Sequence, residues 1–154
     1  MPLRLYLLAF FLLPALSTQG ALTAGTARVE ITDPNATVND PCYAKALVLK
    51  NTDTTAVLVT LDAVAIEGIG RIGVGFLATV RSQLEKETGI RPDHIIVNAS
   101  HCHGIVRGDT AQLVIDIVKQ ALENQVPVTA GAGVGHEDRI SENRRLMMKD
   151  GSEV

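Results

Sequence analysis

Two apolar runs separated by a short polar segment constrain the fold of this chain more than any other feature. Residues 46–49 read ALVL and residues 56–61 read AVLVTL, with NTDT at residues 51–54 between them. Aliphatic and β-branched runs joined by a short polar turn predict an antiparallel β-hairpin over residues 44–61. Because both runs are apolar almost throughout, we expect both faces of the sheet to be buried under helices.

Strand and helix patterns alternate along the rest of the chain. Residues 24–32 alternate as a strand, and residues 94–97 read as a short buried strand. A first helix ends at Gly89 and carries apolar side chains at helical spacing: Ile72, Phe76, Leu77, Val80 and Leu84. A second helix has its own apolar stripe: Leu113, Val114, Ile117, Val118, Ala121 and Leu122. Strands alternating with helices predict an α/β fold, with a mixed sheet and helices packed on it.

The second helix and the end of the chain give more specific expectations. Asp109 or Thr110 is predicted to cap the second helix, with Gln112 completing a capping box. Residues 126–130 and 146–148 are predicted strands. The KDGS at residues 149–152 is typical of a hairpin turn, but no second strand follows it. We therefore expect the chain to be the front piece of a longer protein.

The first twenty residues form a separate segment. Arg4 gives a positive start, a short apolar stretch follows, and residues 17–21 are small or polar. This pattern predicts a signal peptide over residues 1–20, a mature region over residues 21–154, and a secreted or periplasmic location. A buried core helix and a membrane anchor are the alternatives, although the apolar stretch is short for a transmembrane span.

Composition narrows the classes of function. Of the 154 residues 46% are hydrophobic and the formal net charge is −3, which is compatible with a packed core and argues against intrinsic disorder. Lysine and arginine form no marked cluster, so a nucleic-acid partner is not expected. Cys42 and Cys102 could pair in an oxidising compartment or be buried as small hydrophobic residues, and the sequence leaves both alternatives open.

The strongest chemical signal is NASHCHG at residues 98–104, directly after a predicted buried strand. In extended backbone, His101 and His103 would present their imidazoles on one side while Cys102 points away. Sites of α/β proteins lie at the carboxyl ends of strands. Two neutral imidazoles suit Zn²⁺ or a similar metal, or one binds the metal while the other donates to a developing oxyanion. The structural alternative is that both histidines merely cap the end of the strand.

Other polar residues are weaker candidates, each with a structural alternative. Asp62 follows a buried run and could lie beside the two histidines or cap its own loop. Arg107 could hold an anion or be an ordinary surface charge. Glu67, His94 and His136 are expected to be solvated or structural.

Four segments, taken together, resemble the neutral/alkaline (non-lysosomal) ceramidases and their bacterial relatives. The AGTARVEITDP at residues 24–34 is similar to that family's opening "aGxAxxxITP", and residues 44–49 with 56–62 are similar to its "xaralvl…valvxlD". The NASHCHG at residues 98–104 resembles the family's "xaSHTHSGP". The NRR at residues 143–145 resembles a family NRR that precedes a strand.

The resemblance implies a secreted zinc amidohydrolase that cleaves the amide of N-acylsphingosine-like lipids, with His101 as metal ligand and His103 as catalytic support. It implies a lipid-like amide as substrate once the site is complete, and association with a membrane surface. Cys102 departs from the family threonine, and Ile105 and Val106 depart from its Ser-Gly-Pro tail. The family's further His, Glu and Tyr ligands and its active-site Ser lie downstream of the matching segments.

The chain is therefore expected to be the incomplete front part of a larger catalytic domain, to bind Zn²⁺ poorly by itself and to hydrolyse nothing. Two other functions remain open from the sequence. One is a catalytically inert, secreted α/β binding module that keeps the same scaffold. The other is a metal-dependent esterase or amidase of different specificity.

Overall fold

The computed structural model describes residues 21–140 and 145–153. The predicted signal peptide, and Asn143 and Arg144 of the NRR motif, lie outside the described residues. Within the described ranges, no helix is both long enough and apolar enough to cross a membrane.

The fold is a mixed sheet of five strands with two helices. The strands are β1 (Thr23–Glu30), β2 (Tyr43–Lys50), β3 (Thr55–Leu61), β4 (Ile95–Ala99) and β5 (Val126–Pro127), and their order in the sheet is β4-β3-β2-β1-β5. The pair β3–β4 is parallel, and the other neighbours are antiparallel. Helix α1 (Phe76–Thr88) connects β3 to β4, and α2 (Thr110–Glu123) connects β4 to β5. This confirms the predicted α/β class.

The predicted hairpin is formed by β2 and β3. Their register runs from Ala44 opposite Leu61 to Lys50 opposite Thr55. Asn51 closes the turn, because its Oδ1 accepts the backbone N–H groups of Asp53 and Thr54 at 3.0 and 2.8 Å. The polar spacer thus supplies the hydrogen bonds that reverse the chain.

Burial of the hairpin on both faces was the wrong expectation. Alternate residues of β2 and β3 are buried beneath the helices: Ala44, Ala46, Val48, Val57, Val59 and Leu61. Both helices contribute to this same core and contact each other. On the opposite face Leu58 is 39% exposed and Ile96 on β4 is 58% exposed. That face forms an open, shallow cavity of about 620 Å³ lined in part by Arg28, Lys45 and Thr60.

The two helices follow the predicted apolar stripes with two differences. Helix α1 begins only at Phe76, and Ile72 is buried in the preceding loop. Gly89 ends α1 in the left-handed conformation (φ 73°), as predicted. The capping box on α2 is wrong. The Asp109 carboxylate is held by Arg107, while Gln112 Nε2 donates to Asp116 Oδ1, one turn further along the helix.

Helix α2 approaches β1 so closely that only glycine fits at Gly25. A Cβ added there would stand 1.8 Å from the carbonyl oxygen of Ala121. Because the obstructing atom belongs to a helix backbone, neither partner can move aside without shifting a whole element. Gly25 therefore sets the distance between the sheet and α2.

The end of the chain forms less sheet than predicted. The strand predicted for residues 126–130 is limited to Val126–Pro127, paired with β1. The strand predicted for residues 146–148 makes only an isolated bridge between Met147 and Glu153. The predicted turn does form around Gly151 (φ 82°), where Met148 N–H donates to Ser152 O at 2.7 Å.

Candidate active site at the carboxyl ends of β3 and β4

The two parallel strands carry their following loops to one edge of the sheet. Leu61 pairs with Ala99 at the ends of β3 and β4. Ser100 N–H then donates to Leu61 O at 2.9 Å, which holds the start of the second loop beside the end of β3. The loop after β3 therefore lies next to the loop that carries the two histidines. This is the edge at which α/β proteins build binding sites.

His101 is fixed by one hydrogen bond and an unusual backbone conformation. Its φ is 60°, and it is the single non-glycine residue with positive φ among the residues that the structure describes. Its Nδ1 lies 3.0 Å from the carbonyl oxygen of Val64. A carbonyl oxygen can only accept, so in the neutral imidazole the proton is on Nδ1 and the lone pair is on Nε2. This is the arrangement in which a histidine binds a metal through Nε2.

His103 lies directly beside His101. Their ring centroids are 5.0 Å apart and the ring planes are 76° from parallel, an edge-to-face contact. The prediction that the two imidazoles lie together is therefore correct, but its reason is not. Residue 101 is not extended, so the left-handed turn at His101, rather than strand alternation, brings the rings together.

A cleft of about 400 Å³ opens beside His103. Its walls are residues 37–40, from the loop between β1 and β2, and residues 102–105. The histidine-bearing loop is attached to the end of β1 by backbone hydrogen bonds, Asp33 N–H to Ile105 O and Arg107 N–H to Ile31 O, at 2.9 and 2.8 Å. The cleft thus lies between the loop that joins β1 to β2 and the loop that follows β4.

Asp62 has a structural role, but its partners lie on other segments and not in its own loop. Its carboxylate accepts from the backbone N–H of Tyr43 at 3.0 Å, from Lys45 Nζ at 3.3 Å and from Ser100 Oγ at 3.2 Å. These bonds tie the ends of β2, β3 and β4 together. Asp62 therefore positions the loop of His101 through Ser100.

Three of the other weak candidates, Glu67, Arg107 and His94, also have structural partners. Glu67 Oε1 accepts the backbone N–H of Leu77 in the first turn of α1. Arg107 forms a bidentate pair with Asp109, and this hydrogen-bonded guanidinium lowers the pKa of the Asp109 carboxyl. His94 Nδ1 lies 3.2 Å from Thr55 O, next to the start of β4, and His136 is exposed.

Two contacts at this edge have no signal in the sequence. The carbonyl of Val64 orients His101, and any residue could supply that carbonyl. Asp33 is buried and forms an ion pair with Arg71 at 3.0 Å across the loops. Predicting that Val64 contacts His101, or that Arg71 contacts Asp33, requires knowing which loops lie next to each other in the folded protein.

The imidazoles of His101 and His103 could supply part of the ligands of a metal site. His101 offers a free Nε2 and His103 lies beside it, whereas a closed zinc site takes four ligands and a catalytic one takes three from the protein. No group of three or more His, Cys, Asp or Glu side chains within residues 21–140 and 145–153 could hold a metal ion. The described residues therefore account for part of a metal centre at most.

The two cysteines lie against the same loop. Cys42 is buried and Cys102 is half-buried, and both are free thiols within the described part of the chain. Burial raises the pKa of the Cys42 thiol, and the neighbouring Cys102 raises it further.

Comparisons with known proteins identify the fold. Neither a family model nor a curated protein matches the sequence. Among solved structures, the chain is similar to neutral ceramidase from Pseudomonas aeruginosa, with a TM-score of 0.56 and 14% identity over 70% of this chain and 22% of that one. A second structure, a ceramidase complexed with C2, gives a TM-score of 0.53 and 16% identity over 70% of this chain and 22% of its own.

At 14% and 16% sequence identity, the similarity to these two structures is a similarity of fold. It confirms the predicted resemblance to ceramidases for the fold. The chain spans about a fifth (22%) of the length of either ceramidase chain. The mixed sheet with its packed helices is thus a part of the ceramidase-like α/β fold.

Proposed function

We propose that this ceramidase-like chain is part of a zinc-dependent amidohydrolase that cleaves the N-acyl amide of sphingolipid-like substrates. The observation that carries the proposal is the hydrogen bond from His101 Nδ1 to Val64 O, which leaves Nε2 free beside the ring of His103. A histidine whose second nitrogen is held by a backbone carbonyl is oriented for metal binding.

The two histidines have different roles in this proposal. His101 holds the metal through Nε2. When bound, Zn²⁺ supplies a Lewis acid and lowers the pKa of water that it coordinates. His103 is less constrained by the described contacts and lines the cleft, so it contacts the substrate and donates a hydrogen bond to the carbonyl oxygen of the amide.

By itself the chain is proposed to bind Zn²⁺ weakly and to be inactive. The described residues bring together two imidazoles and no third donor, which is below the ligand number of a stable zinc site. The remaining ligands and a substrate-binding surface would come from additional sequence. The segment pattern of residues 1–20 supports a secreted or periplasmic location. A lipid amide as substrate would bring the complete protein to a membrane surface.

A second candidate function is a catalytically inert binding module on the same scaffold. The observation that favours it is the same shortage of donors: no cluster of three metal-binding side chains occurs in the part of the chain that the structure describes. In that case the two histidines would only stabilise the loop after β4. The two functions differ in whether His101 binds a metal at all.

Calorimetric titration of the chain with Zn²⁺ distinguishes them. We expect weak binding that is lost in His101→Ala and unchanged in His136→Ala, a control that removes an exposed histidine outside the site. A fluorescent ceramide incubated with the zinc-loaded chain should show no turnover. Zinc binding equal in wild type and His101→Ala would contradict the hydrolase proposal and favour the inert module.

A further inference from the structure

The sulfurs of Cys42 and Cys102 both lie close to the space that a side chain at Gly104 would occupy. A Cβ built on Gly104 would stand 2.2 Å from Cys42 Sγ and 3.6 Å from Cys102 Sγ. The two sulfurs can therefore be no farther apart than the sum of these distances. Gly104 does not have positive φ, so what a larger residue would meet here is the Cys42 sulfur rather than backbone strain.

Backbone hydrogen bonds explain why two cysteines so distant in sequence meet. Cys42 O accepts from Ile31 N–H at 2.8 Å, and Cys42 N–H donates to Thr32 Oγ1 at 2.9 Å. The segment after Cys102 crosses to the same place, because Ile105 O accepts from Asp33 N–H. Cys102 thus begins a segment that ends beside the residues holding Cys42. Cys42 is held by its own two hydrogen bonds, and Cys102 is placed by the bond that Ile105, three residues later, makes to Asp33.

We propose that Cys42 and Cys102 form a disulfide that fastens the loop of His101 and His103 to the start of β2. Glutathione disulfide is the oxidant. The sulfur of Cys102, the more exposed of the two, attacks it and releases one glutathione thiol, giving a mixed disulfide. The sulfur of Cys42 then attacks the Cys102 sulfur and releases the second glutathione. Two cysteine thiols are oxidised, one glutathione disulfide is reduced to two thiols, and the cysteine protons pass to the departing glutathiones.

This disulfide would limit the motion of the histidine-bearing loop. Cys102 lies between His101 and His103 in the sequence, and together with His103 it borders the cleft beside residues 37–40. A covalent bond from residue 102 to residue 42 closes a long loop of the chain, which restricts the unfolded state most strongly. The inference does not depend on metal binding, because it rests on the two sulfurs and on Gly104.

Mass spectrometry of the full chain tests the proposal. The reduced protein is equilibrated with glutathione disulfide, remaining thiols are alkylated, and the protein is digested without reduction. We expect a monomer in which the Cys42 peptide is linked to the Cys102 peptide, with a mass lower by about 2 Da than the dithiol. In Cys42→Ser, Cys102 should stop at the mixed disulfide, and in Cys102→Ser the buried Cys42 should remain a thiol.

Two results would overturn the proposal: wild-type Cys102 retaining glutathione while Cys42 is alkylated, or a disulfide-linked dimer. Gly104→Ala supplies an independent test, since its methyl group would displace the sulfurs and should slow disulfide formation at least about tenfold. Gly108→Ala is the matched control, with no atom within 4 Å of the new Cβ. Equal rates in the two glycine variants would also contradict the inference.

Discussion

The imidazole of His101 donates from Nδ1 to the backbone carbonyl of Val64 across 3.0 Å. Val64 lies in the loop after β3 and His101 in the loop after β4, so this bond joins the two loops that follow the parallel strands. It depends on the left-handed backbone at His101, where φ is 60°. The candidate site therefore combines a local backbone conformation with a long-range contact, and each can be perturbed separately.

The left-handed backbone at residue 101 predicts that glycine is more stabilising than alanine at this position, the reverse of the usual order in a helix. Both His101→Gly and His101→Ala lose the bond to Val64, but only alanine is penalised for positive φ. We expect the glycine variant to be more stable than the alanine variant by about 1 kcal/mol in urea unfolding. At Ala78, exposed in α1, the order should be the usual one, with Ala78→Gly less stable than wild type by about 1 kcal/mol. An alanine variant as stable as the glycine variant at residue 101 would argue against the left-handed turn.

The proposed roles predict unequal effects of the two histidines on zinc affinity. His101→Ala should weaken Zn²⁺ binding by at least about tenfold, because it removes the oriented Nε2 ligand. His103→Ala should change the affinity by less than about threefold, since that residue supports the substrate rather than the metal. Competition with a chromophoric chelator measures both. Equal losses in the two variants would indicate that both imidazoles are ligands.

The close contact between β1 and α2 predicts that adding one methyl group at Gly25 lowers the free energy of unfolding by a large amount. Gly25→Ala would place its Cβ 1.8 Å from Ala121 O, so sheet and helix would have to separate. We expect a loss of about 3 kcal/mol or more in the free energy of unfolding, at the upper end of overpacking effects. Gly73→Ala is the control, because nothing lies within 4 Å of its Cβ and its φ is not positive. It should be nearly neutral, and a similar loss in both variants would contradict the packing described for α2.

An ion pair between the helices predicts a pH dependence of stability on the acid side. Lys119 Nζ donates to Glu87 Oε2 at 2.7 Å, and this hydrogen bond, followed by that from Gln83, lowers the pKa of Glu87 from its usual value of 4.5. A carboxyl with a lowered pKa in the folded state stabilises the fold above its unfolded pKa. That contribution disappears as the pH falls through the folded value.

Glu87→Gln lacks this contribution at every pH, so its stability difference from wild type should be largest near neutrality and should shrink below pH 4.5. The difference should also decrease in high salt, because the pair is solvent-exposed. Urea unfolding across the pH range measures it. Glu85→Gln, a neutralised carboxylate on the same helix, serves as control. A Glu87→Gln difference that grows on acidification would have the wrong sign for this ion pair.

The local pattern of the sequence predicted most strands and helices correctly, but it predicted the burial of the sheet faces and the partners of individual side chains less well. The hairpin of β2 and β3, the end of α1 at Gly89 and the stripe of α2 follow from spacing and turn residues, which act over a few positions. Burial of both sheet faces did not follow, because it depends on where the helices pack. The capping box on α2 failed because Arg107 binds the Asp109 carboxylate, a bond that competes with capping.

What the sequence determined by itself was the hairpin of β2 and β3, the two helices, and the presence of two histidines directly after a buried strand. These depend on period, on turn chemistry and on the identity of neighbouring residues, all of which are local. The tertiary structure decided that Val64 holds His101, that Asp33 meets Arg71, and that Cys42 reaches Cys102 across Gly104. Each of those contacts joins segments brought together by the strand order of the sheet, which is fixed by packing of the whole core rather than by any single segment.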